Sequence, residues 1–325
     1  MTIRTTARKT ALGVIAGAVG LVSLNSTGVA EEVTLKAISA FANGTTFTKN
    51  FERYVEKVNE LGKGTIKINY LGGGGSVISP FELGNAVKTG VVDIGNLPGA
   101  FYTNIVPEAD AIKLTQFTIT EERKNGAWAF MNDLHVKKMN AYHLARQKDC
   151  VPFHLYLNKK IDKPVLNGMN IRTTPIYSAF FTSLGGSMIR TAPGDVYTAL
   201  ERGAVDGYGW PTQGVLDLGW HEVTKYRVDP GFYRASVEVL INNDKWESLG
   251  TAQKAVLNKA SQWMESLCAE DEKINASEIV RQTAAGIQQI KFDASYQKQA
   301  YDSGWAAFLK SNPENGPKLR KLLTK

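Results

Sequence analysis

Apolar and polar residues alternate over residues 33–40, the period of a half-buried strand, and the pattern then switches to a helical one. Phe47, Phe51, Tyr54, Val55 and Val58 recur at three- and four-residue spacing, which predicts a helix over 47–61 ended by Gly62 and Gly64. Residues 65–70 alternate again as a second strand, 81–88 read as a helix stopped by Gly90, and 91–95 as an apolar strand. Strand–helix units joined by connections this short predict an α/β fold with mainly parallel strands.

The pattern continues along the chain. A helix is expected over 120–133, with Thr120 as its cap and Glu121 and Glu122 in its first turn. Two strands follow, at 141–147 and 151–157. Residues 169–173 form a short strand entered from a Gly168 turn and stopped by Pro175. Then come a helix at 177–184, a strand at 187–190, and a helix with Pro193 just before it and Gly203 just past it. A strand starts at Ala204, and further strands are expected at 227–228 and 235–241. Residues 251–291 contain no proline and one glycine, with Val256, Ala260, Trp263, Leu267 and Ile274 at near-heptad spacing. That predicts one very long amphipathic helix, or two broken near Glu270, Asp271 and Glu272; too few heptads are present for a coiled coil. Helices at 294–309 and 317–323 close the chain.

The first thirty residues belong to a different class. Arg4, Arg8 and Lys9 make a basic start, residues 11–24 are apolar or small, and Gly28-Val29-Ala30 fits a small-residue cleavage site. The apolar run is short for a membrane span, which needs roughly twenty residues. A cleaved export signal over 1–30 is expected, with the mature chain starting near Glu31 and delivered to the periplasm. Losing those three charges lowers the formal balance from +7 to +4, and lysines and carboxylates are interspersed up to the tail Lys318, Arg320 and Lys321. No nucleic-acid surface is implied. With 43% hydrophobic residues the chain can bury a large core, and its 325 residues suggest two domains. Cys150 and Cys268 lie far apart in sequence; pairing is open to them in an oxidising compartment, but two free buried thiols are the favoured expectation. No cysteine adjoins the leader, which argues against a lipid anchor.

Chemistry for catalysis is sparse. Gly72-Gly73-Gly74-Gly75-Ser76 is no phosphate loop, because Gly75 stands where a lysine must reach the phosphates. The four histidines, His135, His143, His154 and His221, show no metal-ligand spacing, and neither Cys-x-x-Cys nor Gly-x-Ser-x-Gly occurs. A secreted hydrolase is the alternative of another class, and screening ester and amide substrates would reveal it. Arg172 is more suggestive: it lies near the carboxyl end of its predicted strand, where open α/β sheets bind ligands. Its planar fork can give two parallel hydrogen bonds to one carboxylate. Phe101 and Tyr102 follow the third predicted strand at an equivalent place.

Ile171-Arg172-Thr173-Thr174-Pro175, followed by Val196-Tyr197-Thr198-Ala199-Leu200-Glu201-Arg202-Gly203-Ala204-Val205-Asp206-Gly207, resembles the signature of the DctP-type solute-binding proteins of TRAP (tripartite ATP-independent periplasmic) transporters. The resemblance runs from about Val33 to the C-terminus and includes residues 83–95. It implies a two-lobe, type II-like periplasmic binding fold with one long helix spanning both lobes. Lobe I would comprise 31–150 with about 238–270, and lobe II 151–237 with about 271–325. It further implies capture of a small organic anion for the transporter's membrane subunits, with no enzymatic activity and no cofactor; an extracytoplasmic sensor is the alternative within binding proteins.

By the same resemblance Arg172 clamps the ligand carboxylate. The glycine-rich turn approaches the pocket in relatives; Phe41 and Asn43, in the loop after the first predicted strand, and Tyr102, after the third, are candidates to border it from their places at strand ends. Phe153 and His154 fall where many relatives carry a second arginine, which this chain lacks. In a branch similar to 2-oxoacid and lactate binders a Glu-Trp pair helps hold a bridging metal; here Gly209 precedes Trp210, which implies an apolar wall and no metal. Trp210 then suits a monocarboxylate with an apolar or aromatic body, and Glu238 on the returning strand is a candidate to select a hydroxyl or amine.

Overall fold

A computed structural model describes residues 1–3 and 32–325; the expected export signal and its cleavage site lie outside the described residues. In chain order the first lobe opens with β1 (Val33–Ser39), α1 (Thr46–Leu61), β2 (Ile66–Gly73), α2 (Leu83–Lys88) and β3 (Ile94–Leu97). Two 3-10 turns, Gly99–Phe101 and Pro107–Leu114, lead to α3 (Ile119–Asn125), α4 (Ala127–Met139) and β4 (Ala141–Gln147). The chain then crosses to β5 (Phe153–Leu157), β6 (Asn170–Thr173), α5 (Pro175–Ser183), β7 (Ser187–Arg190), α6 (Val196–Glu201), β8 (Gly207–Pro211) and β9 (Tyr226–Phe232). It returns as β10 (Val237–Asn242), α7 (Asn243–Ser248) and α8 (Thr251–Glu265), and ends with α9 (Cys268–Ala284), β11 (Gln288–Lys291), α10 (Ala294–Ser311) and α11 (Gly316–Leu323).

Two sheets result, ordered β2-β1-β3-β10-β4 and β11-β9-β5-β8-β6-β7. The expectation of mainly parallel strands is corrected to a mixed pattern. β1 is parallel to β2 and β3, but β10 is antiparallel to β3 and β4. In the second sheet β6 is parallel to β7 and β8, and β9 to β11, while β5 is antiparallel to β8 and β9. The antiparallel neighbours follow from the crossings: β5 and β10 each enter a sheet from the other lobe, so neither arrives through a local strand–helix–strand unit.

The amphipathic stripes decide where the helices lie. Phe47, Phe51, Tyr54, Val55 and Val58 are all buried on α1, and Phe51, Tyr54 and Val58 join Leu257, Ala260 and Met264 of α8 against the first sheet. The other face of that sheet and the second sheet share one larger core that includes Leu97, Tyr102, Phe180 and Phe232. The long helix runs as a bent spine, breaking at Ser266 and Leu267 rather than near Glu270, and stopping at Ala284. Gly286 then turns in left-handed backbone (φ +93°), and 288–291 pair with β9 as a strand missed by a pattern whose residues are three-quarters exposed. The expected helix over 120–133 is two. Thr118, not Thr120, caps α3 through a reciprocal bond with Glu121, and Gly126 (φ +88°) ends it.

The crossings carry the remaining correction. Cys150 and Cys268 are disulfide-bonded, with Cα atoms 5.4 Å apart, and both are half-buried. Sequence separation gave no hint, because the first β4-to-β5 crossing and the amino end of α9 meet only in three dimensions. Asn275 Nδ2 donates to the Cys150 carbonyl at 2.8 Å, and Lys148 Nζ donates to Asp271 Oδ1 at 2.7 Å, so three links tie one crossing to α9. Lys148 (φ +72°) and Tyr233 (φ +49°), one at each strand crossing, adopt left-handed backbone that side chains disfavour. Replacing both cysteines with alanine should lower unfolding free energy by about 2–4 kcal/mol, the usual worth of a long-loop disulfide. Urea denaturation without reductant checks this; an unchanged midpoint would mean that the bridge contributes nothing.

Candidate functional site

β6 sits between β7 and β8, with Arg172 beside Ile189 and Tyr208. Its side chain is fully buried. Nη2 donates to the Thr191 carbonyl at 2.8 Å, while Nε and Nη1 have no partner. The guanidinium carbon lies 5.7 Å from the Trp210 ring centroid. Burial pushes the Arg172 pKa down to about 10, with Tyr177, Tyr208 and Asp195 pulling it back up. The group is still charged at neutral pH, so two buried, cationic donors stand ready for an anion.

Trp210, on β8, is the wall beside that cation. Its ring meets Phe47 edge-on at 5.5 Å, Trp220 at 4.6 Å and Phe41 at 6.5 Å. Its Nε1–H has no acceptor. Gly214 allows this packing: a Cβ there would come within 3.1 Å of both Trp210 Nε1 and the Phe47 ring. Phe41, Phe47 and Trp210 border two adjoining cavities. The larger, about 320 Å³, is also lined by Thr45, Thr46, Gly74, Gly75, Ala192, Asp195 and Leu218. The smaller, about 30 Å³, is bounded further by Pro98, Phe101, Phe153, Thr174, Ile176, Tyr177, Ala235 and Ser236. Asp195 is the only charged side chain on either wall.

The eight residues singled out in the sequence divide evenly. Trp210, Phe41 and Phe153 line the cleft, Phe153 with its ring edge-on to Tyr177 at 5.2 Å, and Arg172 lies against Trp210 without itself lining either cavity. The other four are placed elsewhere. Asn43 is exposed, and its Oδ1 accepts from the Tyr70 hydroxyl at 2.7 Å. Tyr102 is buried in the first lobe, where its hydroxyl meets His135 Nε2 at 2.9 Å; His135 Nδ1 faces the Met131 carbonyl, so Tyr102 is the donor. His154 points into a rear network, its Nδ1 3.0 Å from the Val228 carbonyl and from Asp229 Oδ1, its Nε2 3.0 Å from Thr212 Oγ1. Burial disfavours the Asp229 carboxylate, but the bonds from His154 and Arg227 hold its pKa well below the ordinary range.

Glu238 is fully buried and neither oxygen has a partner. Its strand neighbour Arg146 is already held by Glu122 at 2.8 Å and Asp149 at 2.6 Å. Phe101, noted with Tyr102 after the third predicted strand, borders the small cavity, and so do Phe47, Thr174, Ile176 and Tyr177, which were not singled out. Phe47 was concealed by its good fit to the α1 stripe. Thr174 and Ile176 had a usable signal, since they directly follow the carboxyl end of the arginine strand. Gly209 has a steric reason: a Cβ there would lie 2.6–2.8 Å from the Tyr177 ring, so α5 fills the space that a side chain would need.

With this geometry in view, the chain was compared with known proteins. The family model for bacterial extracellular solute-binding proteins, family 7, matches residues 38–310. The monocarboxylate 2-oxoacid-binding periplasmic protein of a Nostoc species is 20% identical over 262 residues, 77% of this chain and 71% of that protein. A TRAP periplasmic solute-binding protein of Desulfovibrio salexigens, solved with bound orotic acid, superposes with a TM-score of 0.80 at 20% identity, covering 90% of this chain and 97% of its own. An extracytoplasmic solute receptor of Bordetella pertussis that binds pyroglutamic acid gives 0.78 at 15% identity, covering 90% and 100%.

Glu238 yields a test of its placement. Burial pushes its pKa from the ordinary 4.5 up to about 7, against the pull of Arg146. Between those values the folded state keeps a proton that the unfolded state releases, so stability is complete below the unfolded pKa and falls as pH rises towards the folded one. The loss is about 3 kcal/mol by pH 8. Glu238→Gln should therefore match the parent near pH 4.5 and gain on it progressively up to pH 8. Calorimetric melts of both proteins across that range decide it; parallel curves would show that the carboxyl is hydrated or paired in solution.

Proposed function

The chain belongs to family 7 of the bacterial extracellular solute-binding proteins, and from that premise we propose that it captures a small organic acid and delivers it to the membrane subunits of a TRAP transporter. The observation that carries this is Arg172: a buried guanidinium with two unpartnered nitrogens, set against a wall of aromatic rings. Neither cavity wall carries a cation, and the Arg172 guanidinium lies 5.7 Å from the centroid of the Trp210 ring that borders both; one neighbouring arginine favours one carboxylate on an apolar or aromatic body over dicarboxylates and polyhydroxylated acids. That the relatives include binders of orotate, pyroglutamate and 2-oxoacids supports an acid as ligand.

Neither cavity is lined by histidine, cysteine or lysine, which supports binding without chemistry. The moving units are taken as 31–150 with about 238–270, and 151–237 with about 271–325. The leader, removed near Ala30, would place the mature protein in the periplasm. The energetics are feasible: a micromolar complex needs about 8 kcal/mol, within reach of a charge-assisted fork plus the burial of a roughly ten-atom ligand.

Calorimetry against a panel of aromatic, aliphatic, dicarboxylic and sugar acids tests the reading. Arg172→Ala should cost about 2–5 kcal/mol of binding to whichever acid binds best, and Lys should rescue only part, since an ammonium cannot form the planar fork. Near-native affinity in the alanine variant would remove Arg172 from the site. The melting temperature of the unliganded protein should not fall, because the truncation deletes a buried charge that has one hydrogen bond.

Metal removal is a separate test. Exhaustive dialysis against EDTA should leave affinity within about threefold, under about 0.7 kcal/mol, because position 209 has no room for a liganding side chain beside Tyr177. A large loss on chelation that Ca²⁺ restores would mean that other cleft groups hold an ion.

A further inference from the structure

We propose that the hydroxyl of Thr174 is a specificity-determining donor that reads a second oxygen beside the ligand carboxylate, so that α-oxo and α-hydroxy acids with apolar bodies are preferred to plain acids of the same skeleton. This inference rests on the carboxylate-binding reading of Arg172 given above.

Thr174 follows β6 in extended backbone (φ −121°, ψ 172°), two residues beyond Arg172, which puts both side chains on one face of the strand. β6 pairs with β8 in parallel, Arg172 opposite Tyr208, and continuing that register by two places Thr174 beside Trp210. Both border the cavity of about 30 Å³. Thr174 also precedes α5, a nine-residue helix that starts at Pro175. A threonine there ordinarily turns its hydroxyl to the first helical N–H groups, and here it makes no such bond.

The contrast within the residue is what points outward. The Thr174 carbonyl accepts from Thr173 Oγ1 at 2.7 Å, from Ser178 Oγ at 3.2 Å and from the Tyr177 amide at 3.2 Å. Its own hydroxyl, on a residue only 4% exposed, has no partner. Leaving a buried hydroxyl unsatisfied is unfavourable, and Trp210, which borders the same cavity, has a donor-only indole N–H that is also without an acceptor. Arg172 Nε and Nη1 are likewise unpartnered, and the guanidinium carbon lies 5.7 Å from the Trp210 ring centroid, so unpartnered donors occur on Trp210 and on two residues near it. A carboxylate has two oxygens for the arginine fork, and an oxygen on the adjacent carbon extends the acceptor set towards Thr174 and Trp210. At about 30 Å³ this cavity has room for the added oxygen and little more, and an apolar tail would extend past Phe41, Phe47 and Trp210 into the adjoining cavity of about 320 Å³.

The test uses matched acids on the full mature chain: phenylpyruvate and phenyllactate against hydrocinnamate, and α-oxoisocaproate against isocaproate. Calorimetry on the parent protein should show the oxygenated member of at least one series bound about tenfold more tightly, the worth of one satisfied buried hydrogen bond. Thr174→Val, which keeps the shape and extended backbone, should reduce that preference to within about threefold by weakening binding of the oxygenated acid more than that of the plain one. Thr174→Ser should retain the preference. A preference that survives in Thr174→Val, or a parent that binds plain and oxygenated acids alike, overturns the proposal and leaves the hydroxyl to a water molecule of the size this cavity admits. Failure of the parent to bind any acid of the panel instead removes the underlying carboxylate reading, and Arg172→Ala binding like the parent does the same.

Discussion

A buried arginine with one carbonyl for company is the constraint around which the second lobe is arranged. Taking a guanidinium out of water is expensive unless its donors are met, and this one meets only the Thr191 carbonyl. The fold accepts that cost by fixing the side chain rather than by neutralising it. β6 is held by parallel partners on both sides, and the face of Trp210 lies near the charge. Arg146 and Arg227 show the alternative. Each is equally buried but paired with carboxylates, at 2.6–2.8 Å and 3.0 Å, and each is thereby fixed in structure. Arg172 differs in being left electrically incomplete, which is the property a site for an external anion requires.

How two lobes can share such a site depends on the crossings. The chain passes between sheets after β4, after β9 and at the kink between α8 and α9. The first and third are bound to each other by the Cys150–Cys268 bridge, by Lys148 with Asp271, and by Asn275 with the Cys150 carbonyl. Gln213, in the loop after β8, joins the same group by accepting from Lys148 and donating to Asn275. The loop that follows Trp210 is therefore tied directly to the crossing. A rearrangement at the crossing would be felt at the aromatic wall through hydrogen bonds rather than through a long lever.

The sequence made the element order and the buried arginine legible for different reasons. β4 and β7 were located to the residue, and the buried face of α1 was legible because its helical stripe survives from Phe47 to Val58. The pattern missed β11, four residues with one buried, and misplaced the α3 cap by two, since Thr118 and Thr120 offer the same hydroxyl. Among site candidates, Arg172 and Trp210 were visible from a motif and from position at strand ends. Tyr102, His154 and Glu238 were not separable from cleft residues by sequence, because a polar side chain on a strand may serve either face and only the packed sheet decides which. Thr174 was overlooked as a mere part of the arginine motif, and its significance lies in a hydrogen bond that is not made, which no sequence can display.

Polarity in the cleft is divided unequally, and this sets an order of events. The unpartnered donors belong to Arg172, Thr174 and Trp210 of the second lobe, while the first lobe presents Phe41, Phe47, Pro98 and Phe101. An acid can therefore gain its charge-assisted bonds on the second lobe alone, before the first lobe contributes anything. What the first lobe adds is exclusion of water, which strengthens bonds already made by lowering the local dielectric. The first lobe also meets the second through a polar contact. Helix α1 has no acidic residue in its first turn, and Thr45 gives it no side-chain cap. The carboxylate that meets the Thr46 amide, at 2.8 Å, is Asp217 from the opposite lobe. Thr46 precedes Phe47 and Asp217 follows Trp210 by seven residues, so the bond that completes the helix also brings the two rings together. The helix end is met by Asp217 and the Phe47 and Trp210 rings touch edge-on at 5.5 Å, so the polar and the aromatic contacts between the lobes are made side by side.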